Sequence, residues 1–156
     1  MKIKIIQIGK NKDSYIDDAV NEYLKRLQNT FKIEIVTLKE VSASKTFSAI
    51  KCKNDEGIQI LKNISENNFV IALDENGQMQ SSEVFAGFIK SKWDMGQKIV
   101  FIIGGPYGLS DDVKNRADKI LSLSKMTFTH QMIRIFLIEQ LYRASCIFLG
   151  KEYHIA

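Results

Sequence analysis

Residues 99–110, IVFIIGGPYGLS, and residues 121–144, LSLSKMTFTHQMIRIFLIEQLYRA, decide the fold. The unbroken apolar run from Ile99 to Ile103 has the character of a strand buried on both faces. Gly104, Gly105 and Gly108 follow at once, so the backbone there carries few Cβ atoms and can approach a neighbour closely. In the second stretch a short strand over 120–124 leads into a compact polar loop, 125–129, and a long helix starts near His130. Two strand ends that close in loops rich in free backbone groups make a place to hold a small molecule. In open α/β sheets, ligands sit at such carboxyl ends of strands. GGPYG matches neither G-x-G-x-x-G nor the phosphate-loop pattern, so the common nucleotide fingerprints are absent.

Working outward, strand and helix patterns alternate along the whole chain. Residues 2–8 alternate lysine with isoleucine and predict a first strand, and 13–28 repeat apolar residues at a helical period. Phe31, Ile33, Ile35 and Leu38 predict a second strand. Residues 40–54 are polar, rich in serine and lysine and without period, which predicts a loop, with a short helix over 56–65 behind it. A third strand over 69–74 runs into Asp74-Glu75-Asn76-Gly77, read as a turn in which Asn-Gly supplies positive φ. Ser81 or Ser82 caps a helix reaching about Trp93, and Ser110 caps another. This order predicts an α/β fold, a mainly parallel sheet with helices on both faces, in a single domain over 1–156.

Composition sets bounds. With 45% hydrophobic and 26% charged residues in 156, the chain reads as one ordinary globular domain with a real core. No apolar run reaches the ~18 residues of a membrane span, and the N-terminus lacks the features of a signal peptide. The chain has two Cys and two His. That predicts a reduced, cytoplasmic protein with no metal site. A net charge of +4, spread along the chain, is compatible with a folded nucleic-acid-binding surface without requiring one.

The last helix carries Met132, Ile133, Ile135, Phe136, Leu137, Ile138, Leu141, Tyr142, Ile147 and Phe148, apolar in nearly every direction. Such a helix is buried nearly all round, which in a small chain points to the sheet on one side and a second subunit on another. His130 and Arg134 stand one turn apart at its start. They can meet an anionic or nucleobase substrate, Arg134 gripping and His130 moving a proton. Equally, His130 can cap the helix and Arg134 can join an interface ion pair. Tyr153 and His154 close the chain, either as a frayed end or as a tail that folds over a site.

Together these strings resemble the RlmH family, small bacterial methyltransferases of the SPOUT (trefoil-knot) superfamily that act on 23S ribosomal RNA. The resemblance runs from KIIQIGK and EYLKRL through FVIALDENGQMQSSE and FIIGGPYGL to LSLSKMTFTHQMIRIFLIEQLYRA and the final EYH, essentially the whole chain. It implies transfer of a methyl group from S-adenosylmethionine to N3 of a pseudouridine on assembled ribosomes. It also implies a C-terminal trefoil knot, one of the rare exceptions to unknotted topology, and a homodimer whose tails complete each other's sites. Carried over position by position, the cofactor contacts fall on Leu73, Gly104, Gly105, Leu123, Ser124, Lys125, Met126, Thr127 and Phe128. The catalytic candidates are His130, Arg134, Tyr153 and His154, with Arg134 and Arg143 as RNA contacts.

Two departures stand out. Where the family commonly has proline before the loop histidine, this chain has Thr129, which removes a fixed φ and predicts a looser loop. The basic residue that the family tends to place after Tyr-His is absent, since Ile155 and Ala156 follow. Three other readings compete: an inactive ribosome-binding module, a methyltransferase for another RNA such as tRNA, and a doubly wound nucleotide- or flavin-binding protein. Retention of both loops argues against the first, and the missing phosphate-loop signatures argue against the last.

Overall fold

The computed structural model describes residues 1–43 and 48–154, with His154 described by its backbone alone. Five strands and five helices alternate: β1 (Lys2–Ile8), α1 (Ser14–Leu27), β2 (Lys32–Leu38), α2 (Ala49–Leu61), β3 (Asn68–Met79), α3 (Ser82–Asp94), β4 (Lys98–Ile103), α4 (Asp111–Arg116), β5 (Lys119–Ser122) and α5 (His130–Phe148). A single 3-10 turn, Glu152–His154, follows. The sheet has the order β2-β1-β4-β3-β5, and every strand pair is parallel. The expected α/β class holds, and the order, with β4 placed inside β3, is consistent with the knotted C-terminus.

The apolar run of β4 shows why the sheet is buried on both sides. Ile99, Phe101 and Ile103 point into a core shared with α1, α3 and α5. Val100 and Ile102 point the other way, into a core closed by Ile60 of α2 and Val113 of α4. An alternating strand could not serve two cores. Each fully buried side chain of this size contributes about 1.5–3 kcal/mol.

α5 lies between α1 and α3 on the first face. Much of its apolar girdle is therefore met within the chain. Phe136 packs on Phe128, Tyr142 on Tyr23, and Phe148 on Phe31 and Trp93. Glu139 and Arg143, four residues apart on α5, form an ion pair at 2.8 Å.

Two local expectations are corrected. Residues 49–54 belong to α2 and not to a loop, and the helix predicted over 56–65 begins earlier. Ser48 caps it by accepting the Lys51 N–H at 3.2 Å, while Cys52, Glu56 and Ile60 bury one face. Residues 44–47 of the predicted loop lie outside the described residues. Likewise Asp74 to Gly77 does not end the third strand. The Asp74 carboxylate accepts the Asn76 N–H at 3.0 Å, the chain bulges, and pairing with β5 resumes at Gln78.

Gly77 consequently has a different reason from the one its neighbours suggest. Its φ is not positive. A Cβ there would stand 2.6 Å from the Leu121 carbonyl carbon and 2.7 Å from the Ser122 nitrogen, so glycine is needed for close approach of β3 to β5. Gly77→Ala is expected to lose about 1–3 kcal/mol through overpacking. Urea denaturation checks it, and an unchanged midpoint would show that the bulge yields freely.

Candidate active site

Because the sheet is parallel, the loops after β1, β4 and β5 open on one edge, beside the bulge of β3. They line a cleft of about 920 Å³. Its walls include Leu73, Gly104, Gly105, Leu123, Ser124, Met126, Thr127, Phe128 and His130. Every predicted cofactor position except Lys125 therefore lines one cavity; Lys125 sits in the same loop without lining it.

The glycine turn is shaped by backbone contact. Gly108 donates its N–H to the Gly105 carbonyl at 3.0 Å and has φ +78°, a region that side-chain-bearing residues rarely adopt. A Cβ on Gly104 would meet the Gly108 carbonyl carbon at 2.9 Å. Glycine at 104 thus lets the turn close, in addition to leaving room for a ligand.

The opposite wall, residues 122–129, is held by its own hydroxyls. Ser122 donates to the Ser124 carbonyl at 2.8 Å, Ser124 Oγ accepts the Met126 N–H at 2.9 Å, and Thr127 donates to Glu75 at 2.7 Å. Thr129 takes the place of the family's proline at the start of α5. Its φ is −62°, a value proline itself takes, and its hydroxyl caps α5 by accepting the Met132 N–H at 3.3 Å. What a proline ring would fix here, a cap also fixes.

His130 and Arg134 are brought together but play different parts. Arg134 is 3% exposed. Its guanidinium donates to the carbonyls of Ile8 and of Gly9, the latter at 3.0 Å, and to Asn11 Oδ1. It is spent on holding the loop after β1 against the start of α5. His130 lines the cleft, and its Nε2 is buried without a hydrogen-bond partner among the described residues. Burial, then the charges of Arg134 and Lys12, push the imidazole below its usual value, against the pull of Glu40. That shift favours the neutral imidazole.

Charge at the rim is mixed. Lys12 and Lys53 line the mouth, and Lys114 pairs with Asp74 at 2.6 Å. Burial works against the Asp74 carboxylate, but Lys114 and the Asn76 N–H more than offset it and hold the group below its usual range. Tyr15 and Tyr107 stand in the same wall, 58% and 40% exposed. Sequence reading missed Lys12, Tyr15 and Lys53. The loop after β1 could have been found by the rule that strand ends of a parallel sheet share one edge; Lys53 could not, since α2 was not foreseen there.

Tyr153 does not line its own chain's cleft. Its ring packs edge-on to Tyr142 at 4.7 Å and over the Arg143 guanidinium, with its hydroxyl 3.4 Å from both Tyr23 and Glu139. Burial and the hydrogen bond to Tyr23, the larger effect, raise its pKa. The imidazole of His154 lies outside the described residues. Among the described residues, no group of three His, Cys, Asp or Glu side chains is placed to hold a metal ion, and no helix is long and apolar enough to cross a membrane.

Comparison with known proteins agrees with this geometry. The family described as "Predicted SPOUT methyltransferase" matches residues 1–154. A protein of Christiangramia forsetii named ribosomal RNA large subunit methyltransferase H is 42% identical over 155 residues, covering 99% of each chain. Proteins of the same name from Clostridium acetobutylicum and Desulfotalea psychrophila are 44% and 46% identical, again over 99% of each chain. Among solved structures, a probable methylase family protein of Haemophilus influenzae superposes with a TM-score of 0.60 at 14% identity, over 99% of this chain and 70% of that one. At that identity the likeness speaks for the fold alone.

The buried Arg134 yields a prediction. Arg134→Met leaves the Ile8 and Gly9 carbonyls without their donor, at about 1–3 kcal/mol for each buried group stranded. Thermal unfolding should show a clear loss, and faster amide exchange in residues 9–13 should accompany it. Wild-type stability in this variant would contradict the role assigned to the guanidinium.

Proposed function

The chain belongs to the SPOUT methyltransferase family, and from that membership we propose that it methylates large-subunit ribosomal RNA with S-adenosylmethionine as the methyl donor. The acceptor in this reading is N3 of a pseudouridine in 23S ribosomal RNA of assembled ribosomes, in the cytoplasm. The observation that carries it is the convergence of two strand-end loops, GGPYG and SLSKMTF, on one cleft that His130 also lines.

The residues present fit the donor. Leu73, Leu123 and Phe128 give the cleft apolar surface of the kind adenine needs, and the glycine turn lets the main chain approach a ligand. When bound, S-adenosylmethionine supplies an activated methyl on a sulfonium, so the protein's share is alignment. The imide N3 of the acceptor carries a proton at neutral pH, and that proton must leave as the N–CH3 bond forms. His130 accepts it in this reading, as an imidazole in the cleft wall whose neutral form is favoured. Arg134 acts behind it as a positioning residue, and the lysines at the rim meet RNA phosphates. Arg143, paired with Glu139, stays an RNA-contact candidate.

The active form in this reading is a homodimer. Tyr153 is seated on α1 and α5, away from its own cleft, which suits a tail that carries Tyr153 and His154 to the partner's site. Each alternative acceptor predicts a different product. Labelled methyl incubated with ribosomes, free ribosomal RNA and tRNA from a strain lacking the endogenous activity should appear in the large-subunit RNA of ribosomes. Label in tRNA alone would contradict the substrate, and tight donor binding without transfer would favour a ribosome-binding module.

Two variants refine this. Gly104→Val strains the turn against Gly108 by about 1–3 kcal/mol, so donor affinity should fall about tenfold or more in a calorimetric titration. His130→Asn should lower kcat about 100-fold or more with donor affinity kept. The imidazole's depressed value also sets a sign. The neutral form is the base, so its contribution is present at neutral pH and lost only as pH falls below 6.5, the ordinary imidazole value. A kcat profile whose acid limb lay above 6.5, or was unchanged in His130→Asn, would remove His130 from the chemistry.

A further inference from the structure

Glu56 is a buried carboxyl that the chemistry above does not use. It lies on α2, on the sheet face opposite α5, and is 1% exposed. Its Oε1 accepts the Val41 N–H at 2.9 Å, and its Oε2 has no hydrogen-bond partner among the described residues. Leaving a carboxyl oxygen buried and unpaired is costly, and an aliphatic side chain would avoid the cost. Its place has a consequence. A Cβ on Gly105 would stand 2.9 Å from Oε2 and 3.3 Å from Oε1, so the carboxyl fills the space beside Gly105 that a side chain there would need. The next residue makes a second contact of the same kind. A Cβ on Gly57 would stand 2.2 Å from Ser110 Oγ, the cap of α4. Residues 105 and 110, the two ends of the turn, thus rest on successive residues of one helix. Val41, in the connection from β2 to α2, is tied to the same carboxyl.

We infer that Glu56 is a positioning residue, which through Gly105 and Val41 holds the glycine turn in the shape that receives the methyl donor. The inference rests on the methyl-transfer reading. Burial, reinforced by Glu40 and opposed by the Val41 N–H, raises the Glu56 carboxyl above the usual range. Glutamine, of the same length, keeps the reach and an oxygen acceptor for Val41. Aspartate keeps the chemistry but withdraws it by one methylene from both Val41 and Gly105.

The test uses the full chain and measures donor KM, ribosome KM and kcat for Glu56→Gln and Glu56→Asp, with melting curves to establish folding. Glu56→Gln should keep donor KM within about twofold. Glu56→Asp should raise it about tenfold, with kcat at saturating donor and ribosome KM unchanged. Amide exchange at Val41 and Gly108 should quicken in Glu56→Asp only. Wild-type donor KM and exchange in the aspartate variant would overturn the inference, as would a glutamine variant equally impaired. If the wild-type protein bound no S-adenosylmethionine, the methyl-transfer reading would fall instead, and exchange at Gly108 would still judge Glu56.

Discussion

The guanidinium of Arg134 joins the last helix to the first strand across 126 residues of chain. The carbonyls it takes, those of Ile8 and Gly9, are the groups that β1 leaves free where it runs out of sheet, and Gly9 turns there with φ +74°. A buried cation with three acceptors is tolerable only in one geometry, since loss of a partner strands charge away from water. That requirement fixes where α5 starts relative to β1. His130, one turn earlier, is thereby placed at the cleft wall, where burial first and the charge of Arg134 second favour the neutral imidazole.

The rest of the cleft follows from the same edge of the sheet. Parallel strands deliver their carboxyl ends together, and backbone groups there need partners from outside the ladder. The chain meets that need with small devices: serine and threonine hydroxyls after β5, a glycine bridge after β4, an Asx turn in the β3 bulge. The outcome is a pocket framed by strand-end loops, whose shape depends on what stands behind them. Arg134 stands behind one wall and Glu56 behind the glycine turn.

Fold and cleft were legible where one short pattern determines the outcome. The β4 run could serve no other element than a doubly buried strand, and Ser81 and Ser110 cap helices as their positions suggested. Legibility failed where tertiary contact overrode local chemistry. Asp74 to Gly77 has turn residues, yet pairing of β3 with β5 makes of them a bulge. The first turn of α2 exposes Ile50 and buries Cys52, so it shows no clear amphipathic period, and Cys52 could not be told from a loop residue. Arg134 and Arg143 look alike in sequence, and only packing separates a buried tie from a half-exposed ion pair. The site residues themselves were found mainly through family resemblance. Spacing alone left His130 and Arg134 open between two roles.

The central claim is that the methyl donor is held by the main chain of two loops. Backbone amide chemical shifts, recorded during titration with S-adenosylmethionine, test it most directly. The account predicts the largest changes at residues 104–109 and 123–128, with a smaller change at Leu73 and little at the Tyr153 seat on α1 and α5. Changes centred on that seat, or on the hollow between α3 and α5 lined by Ser81, Phe85 and Gln140, would contradict it.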